Sequence, residues 1–163
     1  LKISWQIKKI SSFENLQNEE LRTENIAQMA SKIAIFPALR NMLNLKQREF
    51  IYKSNEQFGG CVLDGRDIGT KILPNANFKF FIDASIEIRA KRRLLEKNIS
   101  FLHENDEKCM LQSLIEKMVE RDNIDRNRED SPMVPAKDAF VIDTTSINAD
   151  QLLSIATKLI EGN

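Results

Sequence analysis

The sequence predicts an α/β protein built on a parallel sheet, and three observations carry that prediction. Three short apolar runs, at Cys61 to Leu63, Phe78 to Ile82 and Ala139 to Ile142, each lead into an aspartate: Asp64, Asp83 and Asp143. Segments of helical periodicity accompany them, as parallel strands require of their connections. Charged residues then gather just beyond the first run, and open α/β sheets bind ligands outside the carboxyl ends of their strands.

Taken in order, residues 1–10 (LKISWQIKKI) alternate loosely through Ile3, Trp5 and Ile7, which predicts an edge strand. Residues 11–21 are polar and read as a connection. Thr23 is placed as an N-cap, with Glu24 in the first turn where a carboxylate suits the helix dipole. Ile26, Ala27, Ala30, Ile33 and Ala34 then recur at helical spacing. Pro37 opens a second helix, whose buried face is predicted to be Leu39, Met42, Leu43, Phe50 and Ile51. Pro74 and Asn75 mark a turn before the second apolar run. Ser85 is a candidate cap for a helix rich in Arg89, Lys91, Arg92 and Arg93, and residues 98–107 are polar and irregular. Met110, Leu111, Leu114, Ile115, Met118 and Val119 form an amphipathic stripe running into ERDNIDRNRED, closed off by Pro132 and Pro135. Asn148 and Gln151 have capping-box spacing. Leu152, Leu153, Ile155, Ala156, Leu159 and Ile160 make the last helix, with Gly162 placed to end it.

Composition narrows the class. A chain of 163 residues suits one domain, or one domain with a small lobe. Its 42% hydrophobic content is too high for disorder. With 24 basic against 24 acidic residues the formal charge is zero, which argues against non-specific nucleic-acid binding. A single histidine, His103, rules out a histidine-based metal site or a Ser-His triad. Cys61 and Cys109 lack metal-ligand spacing, and predict a reducing cytoplasm. No apolar run reaches the length of a membrane span.

Two stretches can carry chemistry. In DGRDIGT, Asp64, Arg66 and Asp67 follow the first apolar run, interleaved with Gly65 and Gly69. A planar guanidinium fork beside acceptor-only carboxylates suits a polar ligand; the alternative is a charged turn capping a core strand. In the second, a helix continuing through ERDNIDRNRED puts Arg121, Asp125 and Arg128 at i, i+4 and i+7, on one face. Asp122 and Arg126 pair at i, i+4 slightly around the cylinder. The plain alternative is a solvated helix whose ion pairs are worth only ~0.3–0.5 kcal/mol each. All the cations in that run are arginines, the better residue for bidentate phosphate recognition. Arg89 and Lys91 read as a solvated helix face, whereas Arg92 and Arg93 could meet a polyphosphate. Ser31 and Arg40 are weaker candidates, since a serine beside an apolar stripe and a lone arginine usually have no ligand.

Together, CVLDGRDIGTKILPNANFKFFIDAS, IRAKRR and ERDNIDRNREDSPMVPAKDAFVIDTTS resemble the bacterial cytidylate kinase family, and LRTENIAQMASKIAIFPALRNML resembles its nucleoside-monophosphate lobe. The resemblance covers roughly residues 21–162. It implies a nucleoside-monophosphate kinase fold of the P-loop type, with residues 1–58 as part of the monophosphate lobe. Residues 59–163 would then be the remainder of the core, with a short lid around 92–120. The implied reaction is ATP-dependent phosphorylation of CMP or dCMP with Mg²⁺ bridging phosphates, by a cytoplasmic monomer without nucleic-acid or membrane partners. No protein ligand set for a metal is implied. Carried over residue by residue, Ser31 and Asp67 read the cytosine. Arg40, Arg66, Arg121 and Arg128 hold the monophosphate or stabilise transferring charge, the last three being the catalytic candidates. Asp125 meets the ribose hydroxyls, and Arg92 and Arg93 reach the ATP phosphates. Asp64 either orients Mg²⁺ through water or holds Arg66.

One departure stands against this pattern. The chain contains no GxxxxGK[ST], the loop whose amides and lysine cradle ATP phosphates. It opens on a strand without Met, so the resemblance implies an upstream segment, including a strand between those ending at Asp64 and Asp83. Such a loss would leave two strand edges unpaired. The 163-residue chain is accordingly expected to have little kinase activity, which ordinary turnover would refute. The competing readings are a catalytically inactive nucleotide-binding remnant and a kinase for another nucleoside monophosphate.

Overall fold

The computed structural model describes residues 23–33, 36–96 and 103–162. The strand predicted over 1–10 and the connection over 11–21 lie outside the described residues. The chain divides into two compact units, Leu1–Asn41 and Met42–Asn163.

In the first unit, α1 runs over Glu24–Ile33, and Ile26 and Ile33 of its apolar stripe are exposed. The helix opened by Pro37, α2 (Pro37–Phe58), carries on into the second unit. Its predicted apolar face is only partly realised. Leu43 and Phe50 are exposed, whereas the polar Arg40 and Ser54 are buried. The helix ends at Gly59, whose φ of +76° is the left-handed conformation that a glycine adopts without steric penalty. The amide of Gly59 donates to Asn55 O at 3.1 Å, closing the last turn.

The second unit holds the sheet. Strands β1 (Phe80–Asp83) and β2 (Phe140–Asp143) pair in parallel, Phe80 opposite Phe140 and Asp83 opposite Asp143. The facing Phe80 and Phe140 rings stack with centroids 5.7 Å apart, an aromatic pair at the entrance to the ladder. Helices α3 (Ile86–Glu96) and α4 (Glu104–Asn127) separate the two strands in the chain. Helices α3 and α4 pack together, and Ala90 and Leu94 of α3 and Leu114 of α4 are buried, Ala90 with no exposed surface. Ser85 caps α3, its Oγ accepting from the Ile88 amide at 3.3 Å. The last helix, α5 (Ala149–Glu161), begins with a full capping box: Asn148 Oδ1 accepts from Gln151 N and Gln151 Oε1 from Asn148 N, both at 2.9 Å. Gly162 is its C-cap.

The predicted strand at Cys61 to Leu63 is corrected by the structure. The segment is irregular, Cys61 is exposed and Val62 is 100% exposed. Among the described residues no strand lies hydrogen-bonded beside it, so the ladder that defines a strand does not form. The described sheet therefore has two strands rather than three.

Lys79, just before β1, is buried and its ammonium donates to Pro74 O and, at 2.6 Å, to Asp138 Oδ2. That hydrogen bond, followed by a backbone hydrogen bond, holds the Asp138 carboxyl below the usual range. A depressed carboxylate stabilises the fold above its ordinary pKa, and the contribution is lost as pH falls through the depressed value. Asp138→Asn is therefore expected to lower the thermal midpoint at neutral pH. The deficit should persist down to about pH 4 and close below it. Melting curves of both proteins between pH 7 and 3 check this.

Candidate functional site

The turn after Leu63 is built by Asp67. Its carbonyl accepts from the Lys71 amide at 2.8 Å, the Ile72 amide at 3.4 Å and Thr70 Oγ1 at 3.3 Å. With Leu73 N to Ile68 O at 2.7 Å these bonds form a π-helical turn, Ile68–Ile72. Such turns are uncommon and recur at functional sites. A Cβ on Gly65 would lie 2.9 Å from Ile68 Cγ1, so glycine allows the chain to cross close to that turn. Ile72 is buried, and Lys71 Nζ reaches Asp130 Oδ1 at 2.9 Å, tying the turn to the segment after α4.

The helical face predicted in ERDNIDRNRED forms. The helix ends at Asn127, and Arg128 follows as an extended C-cap. Asp125 is the centre of the cluster: its side chain is 6% exposed, with Arg128 Nη1 at 3.2 Å, Arg66 Nε at 3.7 Å and Arg121 Nε at 4.0 Å. The solvated-helix alternative does not describe this carboxylate. The chain then folds back on itself. Met133 N donates to Asp125 O at 2.8 Å and Arg128 Nη2 to Ser131 O at 3.1 Å, with Ser131 held at φ 59°. A non-glycine residue there costs on the order of 1–2 kcal/mol, offset by the bonds that close this loop. The fold-back brings Met133 Sδ to 3.2 Å from Arg66 Nη1. Arg66 is thus held by Asp125 and Met133 rather than by Asp64.

Between these elements lies a cleft of about 430 Å³, lined on one side by Asp64, Gly65 and Arg66 and on another by Phe80–Asp83, with Arg89, Arg121 and Met133 completing it. Inside the cluster the Nε groups of Arg121 and Arg128 are buried and make no hydrogen bond. Buried donors of that kind normally have partners.

The expected i, i+4 pair between Asp122 and Arg126 is replaced by partners on other elements. Asp122 is buried and accepts from Arg89 Nη2 at 2.6 Å, whereas Arg126 Nη2 lies 3.7 Å from Asp83 Oδ2. Arg89, expected to be solvated, is only 24% exposed at its side chain. Arg92 donates to Thr144 Oγ1 at 3.0 Å, Thr144 O at 2.6 Å and Ile147 O at 2.9 Å, which ties α3 to the turn after β2. Arg93 is half-buried near the end of α3. Ser31, in α1, and the buried Arg40 belong to the first unit. Asp67 sits at the start of the π-helical turn, one residue past the cleft-lining Arg66. Met133, Asp83, Arg89 and Asp122 were not singled out as site residues by sequence. The only available signals were the aspartate closing β1 and an arginine on a helix that follows it.

A cleft that runs along β1 and is walled in part by arginines, beside a parallel strand pair flanked by helices, defines a protein of the α/β class. The chain belongs to the cytidylate kinase family, whose model matches residues 1–162. It is 39% identical over 153 residues to a cytidylate kinase of Erwinia tasmaniensis, covering 94% of this chain and 63% of the relative. It is 37% identical over 158 residues to a cytidylate kinase of Mycoplasma genitalium, covering 96% and 69%. A cytidylate kinase of Shigella flexneri is 41% identical over 137 residues, covering 84% and 56%. The chain thus spans roughly three fifths of the length of the curated relatives it matches.

Proposed function

We propose that the protein takes part in ATP-dependent phosphorylation of CMP or dCMP, with Mg²⁺ and as a cytoplasmic enzyme. The observation that carries the reading is the buried Asp125 holding Arg66, Arg121 and Arg128 together, with Arg66 and Arg121 at the cleft. The relatives' names support the substrate. Phosphoryl transfer asks little covalent chemistry of a protein and much positioning and charge stabilisation. Arg121 and Arg66 would donate to the monophosphate, Arg128 would keep Asp125 and the loop in place, and Asp125 would set the orientation of all three. Any contact of Asp125 with a ribose hydroxyl would use lone pairs that the arginines leave over.

Base choice in this reading falls to Asp67 and Ser31. A carboxylate accepts from the exocyclic amine that cytosine has and uracil lacks. Arg40 is a further phosphate-binding candidate by the family resemblance alone. Arg92 and Arg93 remain the candidates for the ATP phosphates, and Arg92 would have to leave Thr144 and Ile147 to reach one.

Mg²⁺ takes one or two carboxylates, keeps several waters and otherwise rides on phosphates. Asp64 and Asp83 line the cleft and fit that modest demand; among the described residues no group of three or more potential ligands is gathered for a resident metal. When bound, the ion would neutralise charge on the phosphates.

Calorimetric titration of the chain with CMP, dCMP, UMP and AMP tests the reading. CMP or dCMP is expected to bind at least about tenfold more tightly than UMP, the worth of one well-made amine hydrogen bond. A preference for UMP or AMP would overturn it.

A further inference from the structure

We infer that Arg89 is a positioning residue that protects the phosphate-binding charge of the cleft by neutralising Asp122. The inference rests on the phosphate-binding reading above and adds to it a residue that contributes through a carboxylate rather than through the base or the ribose.

Asp122 adjoins Arg121 in α4, and its side chain is only 10% exposed. A buried carboxylate in that position must find a cation, because an unpaired charge there is costly. Among the described residues three arginines are candidates to serve, two nearby in α4 and one brought by α3. Arg126, one turn away, is drawn instead to Asp83 Oδ2 at 3.7 Å. Arg121 is next door, but its Nε lies 4.0 Å from Asp125 and its side chain lines the cleft. Arg89 comes from α3, and at 2.6 Å it makes the short charge-assisted bond.

Arg89 is itself fixed by other contacts. Its Nε donates to Ala84 O at 3.1 Å, immediately after β1, and lies 4.0 Å from Asp83 Oδ1. One guanidinium therefore joins the carboxyl end of β1, helix α3 and helix α4. Asp83, Arg89, Asp122 and Arg126 form an alternating set in which each aspartate has an arginine. Without Arg89, an uncompensated anion would stand one residue from the cleft-lining Arg121 and repel a phosphate entering the cleft.

This predicts an unusual rescue. Arg89→Met should weaken CMP binding about tenfold while leaving cytidine binding within about twofold, because cytidine carries no phosphate. Removing the stranded charge as well, in Arg89→Met/Asp122→Asn, should bring CMP affinity back to within about threefold of the parent chain. Arg89→Lys keeps the charge that compensates Asp122, though not the second bond to Ala84 O, and should also bind within about threefold. If Arg89 were only a structural strut, deleting its partner too would give no recovery.

The experiment is calorimetry of the four chains with CMP and with cytidine. Parallel losses for both ligands, an unchanged CMP affinity in Arg89→Met, or no recovery in the double variant would overturn the inference. Should Arg89→Met not fold, the lysine and double variants carry the test, and a tenfold loss of CMP affinity in either overturns it. A parent chain that binds CMP no better than cytidine overturns the phosphate-binding reading and this inference with it. A parent that prefers CMP, with Arg89→Met unaffected, overturns this inference alone.

Discussion

Replacing Asp125 by alanine is expected to destabilise the protein by about 3 kcal/mol, the low end of what removing one partner of a buried ion pair costs. The size of the effect follows from burial. Asp125 is 6% exposed at its side chain and Arg128 10%, so the charge left behind has little water to turn to. Arg66 and Arg121 are 44% and 34% exposed and recover part of their loss by hydration. In place of one carboxylate shared among three guanidinium groups there would be three like charges and a small cavity. An exposed helical pair at the same spacing would cost only ~0.3–0.5 kcal/mol, so the measurement separates the two descriptions by a wide margin. For a chain of this size about 3 kcal/mol corresponds to a fall in melting temperature of roughly 6–12 °C. Asp125→Asn, which keeps an acceptor and the side-chain volume, should lose less. Urea unfolding at neutral pH reads both. An Asp125→Ala midpoint equal to the parent's would show that the cluster is a set of surface pairs.

The second large effect is on binding. Arg121→Ala is expected to weaken CMP binding by about 10–100-fold, the worth of a charge-assisted hydrogen bond, with cytidine affinity preserved. Arg121 lines the cleft, its buried Nε makes no hydrogen bond among the described residues, and its ion pair with Asp125 stands at the 4.0 Å limit. Arg128, by contrast, is engaged with Asp125 at 3.2 Å and with Ser131 O at 3.1 Å. Its replacement should therefore cost stability before it costs affinity. Asp67→Ala should show the complementary pattern, with the preference for CMP over UMP reduced and the dependence on phosphate kept. An Asp67→Ala chain that discriminates between bases as the parent does would remove the base-reading role. An Arg121→Ala chain that binds CMP and cytidine in the parent's ratio would remove the phosphate role.

The legibility of this molecule in its sequence divides along the range of the interactions concerned. Helix termini were readable because a cap acts within three or four residues. Ser85, the Asn148 and Gln151 pair and Gly162 all do what their positions announce. The two strands of the described sheet lie where apolar runs lead into Asp83 and Asp143. The face carrying Arg121, Asp125 and Arg128 was readable because a helix places residues four and three apart side by side. The family resemblance, which rests on the same stretches, is upheld by the family match over residues 1–162.

What only the tertiary structure decided is where each charge and each extended segment finds its partner. Periodicity marks Cys61 to Leu63 as strand-like, but a strand exists only through a neighbour's hydrogen bonds, and Val62 stands fully exposed. Local spacing pairs Asp122 with Arg126, yet α3 delivers Arg89 to Asp122 at 2.6 Å. It places Asp125 on the arginine face without revealing that Arg66, from a turn 59 residues earlier, and the fold-back through Met133 complete its surroundings. The physical reason is one of magnitude. An exposed i, i+4 pair is worth a few tenths of a kcal/mol, whereas a charge-assisted hydrogen bond made in a desolvated contact is worth roughly 1.5–3 kcal/mol. The long-range partner wins whenever packing brings one within reach, and which partner that is depends on elements that meet only in the folded chain.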